Sequence, residues 1–250
     1  MAVFNTALSA SQINDIMGGD FSAFSTVEPL PVARIDFGET GHTLQGGFIR
    51  EEGANNSGVT SVTVAVPNEF GGVPSTMNVI VSELDATTHG LEHRERNSVT
   101  GTSVNNMLSD LIATRDNQLS VTFEDLAPGN YEFTSYHNDS TANGFENGSF
   151  FDVFLNGDLI VSNVDASNVW GDIDLSDVAM ANFQFTHLME GDVTIDFTGT
   201  AANTNGFIPL SGLELIQTGL ISTIPEPSTF ALAAIGLLGL AWLGRRRKVA

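Results

Sequence analysis

Gln118-Leu119-Ser120-Val121-Thr122-Phe123-Glu124-Asp125-Leu126-Ala127-Pro128-Gly129-Asn130-Tyr131-Glu132-Phe133-Thr134-Ser135-Tyr136-His137-Asn138 reads as two strands joined by a turn. Apolar and polar residues alternate on both sides of Pro128-Gly129-Asn130, and a period of two sends successive side chains to opposite faces of a pleated sheet. Proline and glycine supply the turn chemistry between them. Tyr131 and Tyr136 stand five apart, so on an unbroken strand they face opposite sides, and no more than one of them is required in a core.

Outward from this hairpin the same grammar recurs. Residues 33–37, 60–66, 76–84, 149–157, 191–199 and 211–217 are short runs with alternation or β-branched and aromatic enrichment. Asn156-Gly157-Asp158, Asn143-Gly144 and Glu190-Gly191-Asp192 punctuate them. Only 102–115 offers a helical stripe, through Val104, Leu108 and Leu111 or Ile112. Eight short strands and one helix predict an all-β fold, a two-layer antiparallel sandwich over residues 31–217, a length suited to one domain. There is no repeat to suggest a solenoid and no cysteine to form a disulfide.

The run Leu126-Ala127-Pro128-Gly129-Asn130-Tyr131 into its strand, followed by Val153-Phe154-Leu155-Asn156-Gly157, resembles the central hairpins of galactose-binding-like and malectin-like jelly-roll sandwiches. Asp36-Phe37-Gly38 and Gly212-Leu213-Glu214-Leu215 fit the two ends of that pattern. The resemblance implies such a fold and a carbohydrate ligand. Sugar recognition needs planar aromatic faces and groups that bond hydroxyls. Tyr136, Phe145 and Trp170 are the candidate platforms, and His137, Asn138, Asp139, Asn143, Glu146 and Asn147 the polar groups near them. Tyr136, Asn138, Asp139 and Trp170 form the glycan-binding expectation; packing in a core or rim is the alternative for each.

Asp165, Asp172, Asp174 and Asp177 concentrate hard oxygen ligands of the kind calcium takes, although the spacing lacks an EF-hand's central glycine and closing glutamate. A structural calcium site and a solvated acidic turn are the two readings. His89 and His93 share a segment with Glu92, Arg94, Glu95 and Arg96, whose arginines oppose a second cation. No cysteine nucleophile, Gly-x-Ser-x-Gly elbow or phosphate loop is present, and no enzymatic activity is expected.

The far end reads differently. Phe230 to Gly244 carries no charge, and Arg245, Arg246, Arg247 and Lys248 follow directly. A helix over 228–244 spans about 25 Å, short of the roughly 30 Å of a bilayer core, but arginines and a lysine snorkelling beside Trp242 make up the difference. The basic cluster orients the tail, 245–250, to the cytoplasm and the rest outside; a buried helix of a soluble fold is the alternative. Pro225, Glu226 and Pro227, the apolar segment and the basic cluster, in that order, resemble the PEP-CTERM sorting signal. The resemblance implies an exosortase-type processing enzyme as partner, inner-membrane anchoring before processing, and a final place at the cell surface or in the extracellular matrix. Residues 218–227 are the linker that carries the triplet.

The remaining basic residues are Arg34, Arg50, Arg94, Arg96 and Arg115, against 29 acidic residues in 1–224. Such a field repels nucleic acid. An export leader is not evident at Met1 to Asn5, while residues 3–17 resemble the closing segment of a laminin-G-like, concanavalin-type domain. That resemblance makes 1–30 a remnant and linker of a longer precursor; a helix capped by Ser9 or Ser11 is the other reading. Two functions follow: an exported carbohydrate-binding surface protein, or a structural matrix protein without specific glycan binding.

Overall fold

The two strands read over 118–138 do not pair as a hairpin: the turn between them carries the chain from one layer of the sandwich to the other. In the computed structural model, residues 30–54, 59–68, 75–83, 90–141 and 149–220 are described. In chain order the strands are β1 Leu30–Glu39, β2 Ile49–Gly53, β3 Ser61–Asn68, β4 Ser75–Glu83, β5 Glu92–Glu95, β6 Val99–Thr100, β7 Asp110–Thr114 and β8 Gln118–Leu126. They continue as β9 Gly129–His137, β10 Phe150–Leu155, β11 Asp158–Asp165, β12 Gly171–Asp172, β13 Ala179–His187, β14 Gly191–Gly199, β15 Ile208–Leu210 and β16 Gly212–Leu220. One sheet runs β13-β9-β16-β1-β2 and the other β11-β10-β14-β8-β4-β3. All pairings inside them are antiparallel except β1 with β2.

Alternation builds the core. Tyr131 and Phe133 of β9, Leu213 and Leu215 of β16, and Ile35 and Phe37 of β1 meet Val121 and Phe123 of β8, Phe151 of β10 and Phe197 of β14 in one buried cluster. Phe123 and Phe133 touch edge to face across the layers, with ring centroids 6.2 Å apart.

Two smaller sheets, β15-β7-β5 and β12-β6, complete the described strands. They correct the expectation of a helix over 102–115. That stretch is a turn, a 3-10 helix at Met107–Ser109 and then β7, all five of whose residues are buried. Ile112 joins the main core while Leu111 and Ala113 pack on Phe207. A strand buried on both faces shows no alternation, so its apolar spacing imitates a helical stripe.

A further layer lies against the outward face of the five-stranded sheet. Val99, Val104, Met107, Leu108 and Val178 pack with Tyr136, flanked by Phe48, Val169, Ile173 and Leu175. Both tyrosines of β9 are therefore buried: they do face opposite sides, but this cap turns the second side into an interior as well. Gly212 permits it, since a Cβ there would lie 2.1 Å from Met107 Sδ. Among the described residues no helix is long and apolar enough to cross a membrane. The segments 3–17 and 228–244, with the Pro225 to Pro227 triplet and Arg245 to Lys248, lie outside the described residues.

Candidate functional site

Where β9 ends, three consecutive polar residues turn inward. His137 is fully buried, its ring 4.6 Å from Phe151 and 5.1 Å from Phe197. Its Nδ1 lies 2.7 Å from the Pro209 carbonyl, which can only accept, so Nδ1 carries the hydrogen and Nε2 accepts from the Ser135 hydroxyl at 2.8 Å. Burial lowers its pKa to about 4, against a smaller opposing effect of the Pro209 bond, and the ring is neutral. It is a core residue rather than a loop ligand.

Asn138 is wholly buried and its amide is saturated. Nδ2 donates to Leu108 O and Val169 O, both at 3.0 Å, while Oδ1 accepts from Ser167 Oγ at 3.0 Å and Val169 N at 3.1 Å. Two donors and two acceptor positions are the full capacity of the group. Asp139, also buried, accepts from Arg96 Nε at 2.5 Å, and its N–H donates to Ser167 O at 2.9 Å. The next residue ties the same region to β6's approach: Ser140 Oγ donates to Asn97 O, and Gly171 N–H donates to Ser98 O at 3.0 Å.

These bonds fix the backbone on both sides of Trp170. Its side chain is 47% exposed, and it is the one aromatic among the exposed large apolar residues of the described chain. Tyr136 is only 6% exposed; its hydroxyl donates to Glu214 Oε1 at 2.8 Å, and burial together with that carboxylate drives the phenol pKa upward. Of the four residues expected to contact glycan, Trp170 alone presents its side chain to solvent. Asn138 and Asp139 support its loop, and Tyr136 lies beneath the cap. Phe145, Asn143, Glu146 and Asn147 lie outside the described residues.

The four aspartates do not converge. Asp165 ends β11, Asp172 Oδ1 lies over Gly101, and Asp177 accepts the Asp174 N–H across the 3-10 turn Leu175–Asp177. Among the described residues no group of three or more histidine, aspartate or glutamate side chains is arranged to hold a metal ion. Spacing puts these acids near one another in the chain, but Asp174 and Asp177 cap the 3-10 turn reciprocally while Asp172 is paired into β12. His93 is buried against Glu51, with Nε2 2.8 Å from Oε2, and His89 lies outside the described residues.

One buried polar cluster escaped the sequence reading. His42 Nε2 lies 3.7 Å from Asp36 Oδ2, and both side chains are fully enclosed. Gln45 N–H donates to the same Asp36 oxygen at 2.6 Å. A Cβ on Gly38 would come within 2.7 Å of the His42 ring and 2.9 Å of Asp110 Cβ, so the glycine lets the three groups gather. The Asp36 carboxylate raises the pKa of His42 against the effect of burial. Burial holds Asp110 up at about 7, opposed by His42 and reinforced by the negative charges of Asp36, Glu95 and Glu39. No local motif joins positions 36, 42 and 110; the close packing on Gly38 is visible only in the fold. A shallow groove of about 220 Å³ also opens beside β1, lined by Val32, Arg34, Ile49 and Val66 among others and by no aromatic residue.

Residues 223–248 match the PEP-CTERM protein-sorting motif. No curated protein matches the chain. Among solved structures, a family 35 carbohydrate-binding module from Clostridium thermocellum is 13% identical, with 62% of this chain and 97% of that one covered and a TM-score of 0.32. The ANX1 ectodomain from Arabidopsis thaliana is 9% identical, with 76% and 42% covered and a TM-score of 0.43. A CBM35 from Paenibacillus barcinonensis is 11% identical, with 49% and 87% covered and a TM-score of 0.29. The chain thus spans less than half of the plant ectodomain.

Proposed function

We propose that this chain is an exported, non-catalytic surface or matrix protein, processed by an exosortase-type enzyme at its PEP-CTERM motif, whose sandwich binds an uncharged polysaccharide through Trp170. The observation that carries the binding is the half-exposed indole of Trp170 on a loop whose backbone is held from within. An indole face suits the C–H surface of a pyranose ring. The charge of the exterior part and the exposed Asp172, Asp174 and Asp177 beyond Trp170 oppose a polyanionic chain, which leaves neutral glycans as the matching class. Because no three of the acidic groups gather among the described residues, a calcium bridge to the ligand has no support in the geometry.

A structural role without glycan binding is the second reading, and the burial of Tyr136, Asn138 and Asp139 favours it, because Trp170 is left without those three as contacts. Affinity electrophoresis of the detergent-solubilised full chain through neutral and acidic polysaccharides separates the two. Retardation by a neutral polysaccharide that Trp170→Ala abolishes is the expected result; free migration through every gel leaves the structural role.

A further inference from the structure

We infer that Asn138, a buried residue that no ligand can reach, is the positioning residue that presents Trp170 for binding. This rests on the proposed glycan-binding role of Trp170.

The amide of Asn138 grips Val169, the residue before the indole, by both of its backbone groups: Val169 N–H donates to Oδ1 at 3.1 Å and Val169 O accepts from Nδ2 at 3.0 Å. That is the pairing a neighbouring strand would supply, made here by one side chain. The second Nδ2 hydrogen reaches Leu108 O at 3.0 Å, in the cap, and the second Oδ1 lone pair takes Ser167 Oγ at 3.0 Å. Asn138 itself is fixed from the sheet, since Ser211 Oγ donates to its carbonyl at 3.0 Å and an isolated parallel bridge pairs it with Ser167. A rigid strand end therefore grips Val169 through one side-chain amide, while backbone bonds from Ser167 N–H to His137 O and from Asp139 N–H to Ser167 O hold the loop only further back, at Ser167. An ordered aromatic loses less conformational freedom on binding than one on a loose loop, so the amide sets affinity without touching the ligand. Aspartate in its place keeps the shape but turns two donors into acceptors facing the Leu108 and Val169 carbonyls.

The test uses the full chain carrying Trp242→Phe, in which Trp170 is the only indole. Acrylamide quenching of Trp170 and retardation by the neutral polysaccharide are measured together, at a temperature where far-UV circular dichroism reports an intact sheet. Asn138→Asp is expected to raise quenching and to weaken retardation by about tenfold, equivalent to about 1.4 kcal/mol. Ser167→Ala, which removes the hydroxyl whose one hydrogen is shared between Asn138 Oδ1 and His137 O, both at 3.0 Å, keeps the measurement possible if the aspartate does not fold, and is expected to move both readouts in the same direction by less. Val121→Ala, on the core face of β8, controls for general destabilisation and is expected to leave Trp170 unchanged. Parental quenching and retardation in the foldable Asn138 or Ser167 variant would overturn the inference, as would an equal change in Val121→Ala. If the parent shows no retardation but the variants unmask Trp170, the glycan reading fails while the clamp on Trp170 stands.

Discussion

Tyr131 and Tyr136 stand on one strand, five residues apart, and end in two different interiors. Tyr131 stacks on Phe185 at 5.4 Å, gives its hydroxyl to Ala127 O at 2.6 Å, and sits among the apolar rings between the two main sheets. Tyr136 points the other way, under a cap in which short irregular segments are tied down by Asn138, Ser140, Ser109 and backbone bridges. The core is stabilised by apolar area, which is non-directional and shared among many residues. The cap depends on directional groups that have little redundancy. Damage to the first should be global, and damage to the second local.

The strongest way to break this contrast is Phe133→Ala. Phe133 packs on Phe123 and Phe183, and its loss should cost about 3–5 kcal/mol, read as a single lowered denaturation midpoint with sheet and Trp170 signals moving together. Separate midpoints would show that cap and core already unfold independently.

Gly212→Ala attacks the join. The new methyl displaces Met107 and presses on Ile35 O, a strain of about 1–3 kcal/mol. Amide exchange should quicken at Val104 to Leu108 and remain slow in β8 and β14.

Acidity sharpens the picture through the buried titratable groups on the two faces of the sheet, His42 and Asp110 beside the cap and His137 in the core. His42 and Asp110 both hold protons more tightly in the folded state, so their contribution is present at low pH and is lost as pH rises through their folded values, about 7 for Asp110. His137 has the opposite sign: its lowered pKa favours the fold above its ordinary value of 6.5, and that advantage is lost as pH falls toward about 4. Thermal stability should therefore rise as pH falls from 8 to about 6.5, then flatten as His137 offsets Asp110. In Asp110→Asn the rise should shrink to the part due to His42, and stability should fall below pH 6.5. A profile in the variant that parallels the parent would contradict the assignment to Asp110.

How far the chain could be read without coordinates follows the same division. The runs at 118–126 and 130–138 and the six others each contain a strand, because alternation with β-branched or aromatic residues is a local signal. β13 alternates too, with Ala181, Phe183 and Phe185 inward, yet its alanines, Asn182 and Gln184 are poor strand formers, and it was not anticipated. β11 is mostly exposed and offers little apolar contrast. Trp170 lies between Asn168 and the Gly171-Asp172 pair, a polar, glycine-bearing setting that agrees with its exposure. The part played by Asn138 is not legible locally, since Leu108, Ser167 and Val169 lie about thirty residues away in the chain and only the cap brings them to one amide.

Trp170→Ala has the smallest expected effect on stability, within about 0.5 kcal/mol, because the side chain is half exposed. Its effect on binding is the central question. The most direct measurement is a titration of the full Trp242→Phe chain with a soluble neutral polysaccharide, following the emission of Trp170. A saturable blue shift, absent with a polyuronate, is the result expected of a glycan platform; an emission spectrum unchanged by either polymer would contradict it and leave the sandwich a structural element of the surface.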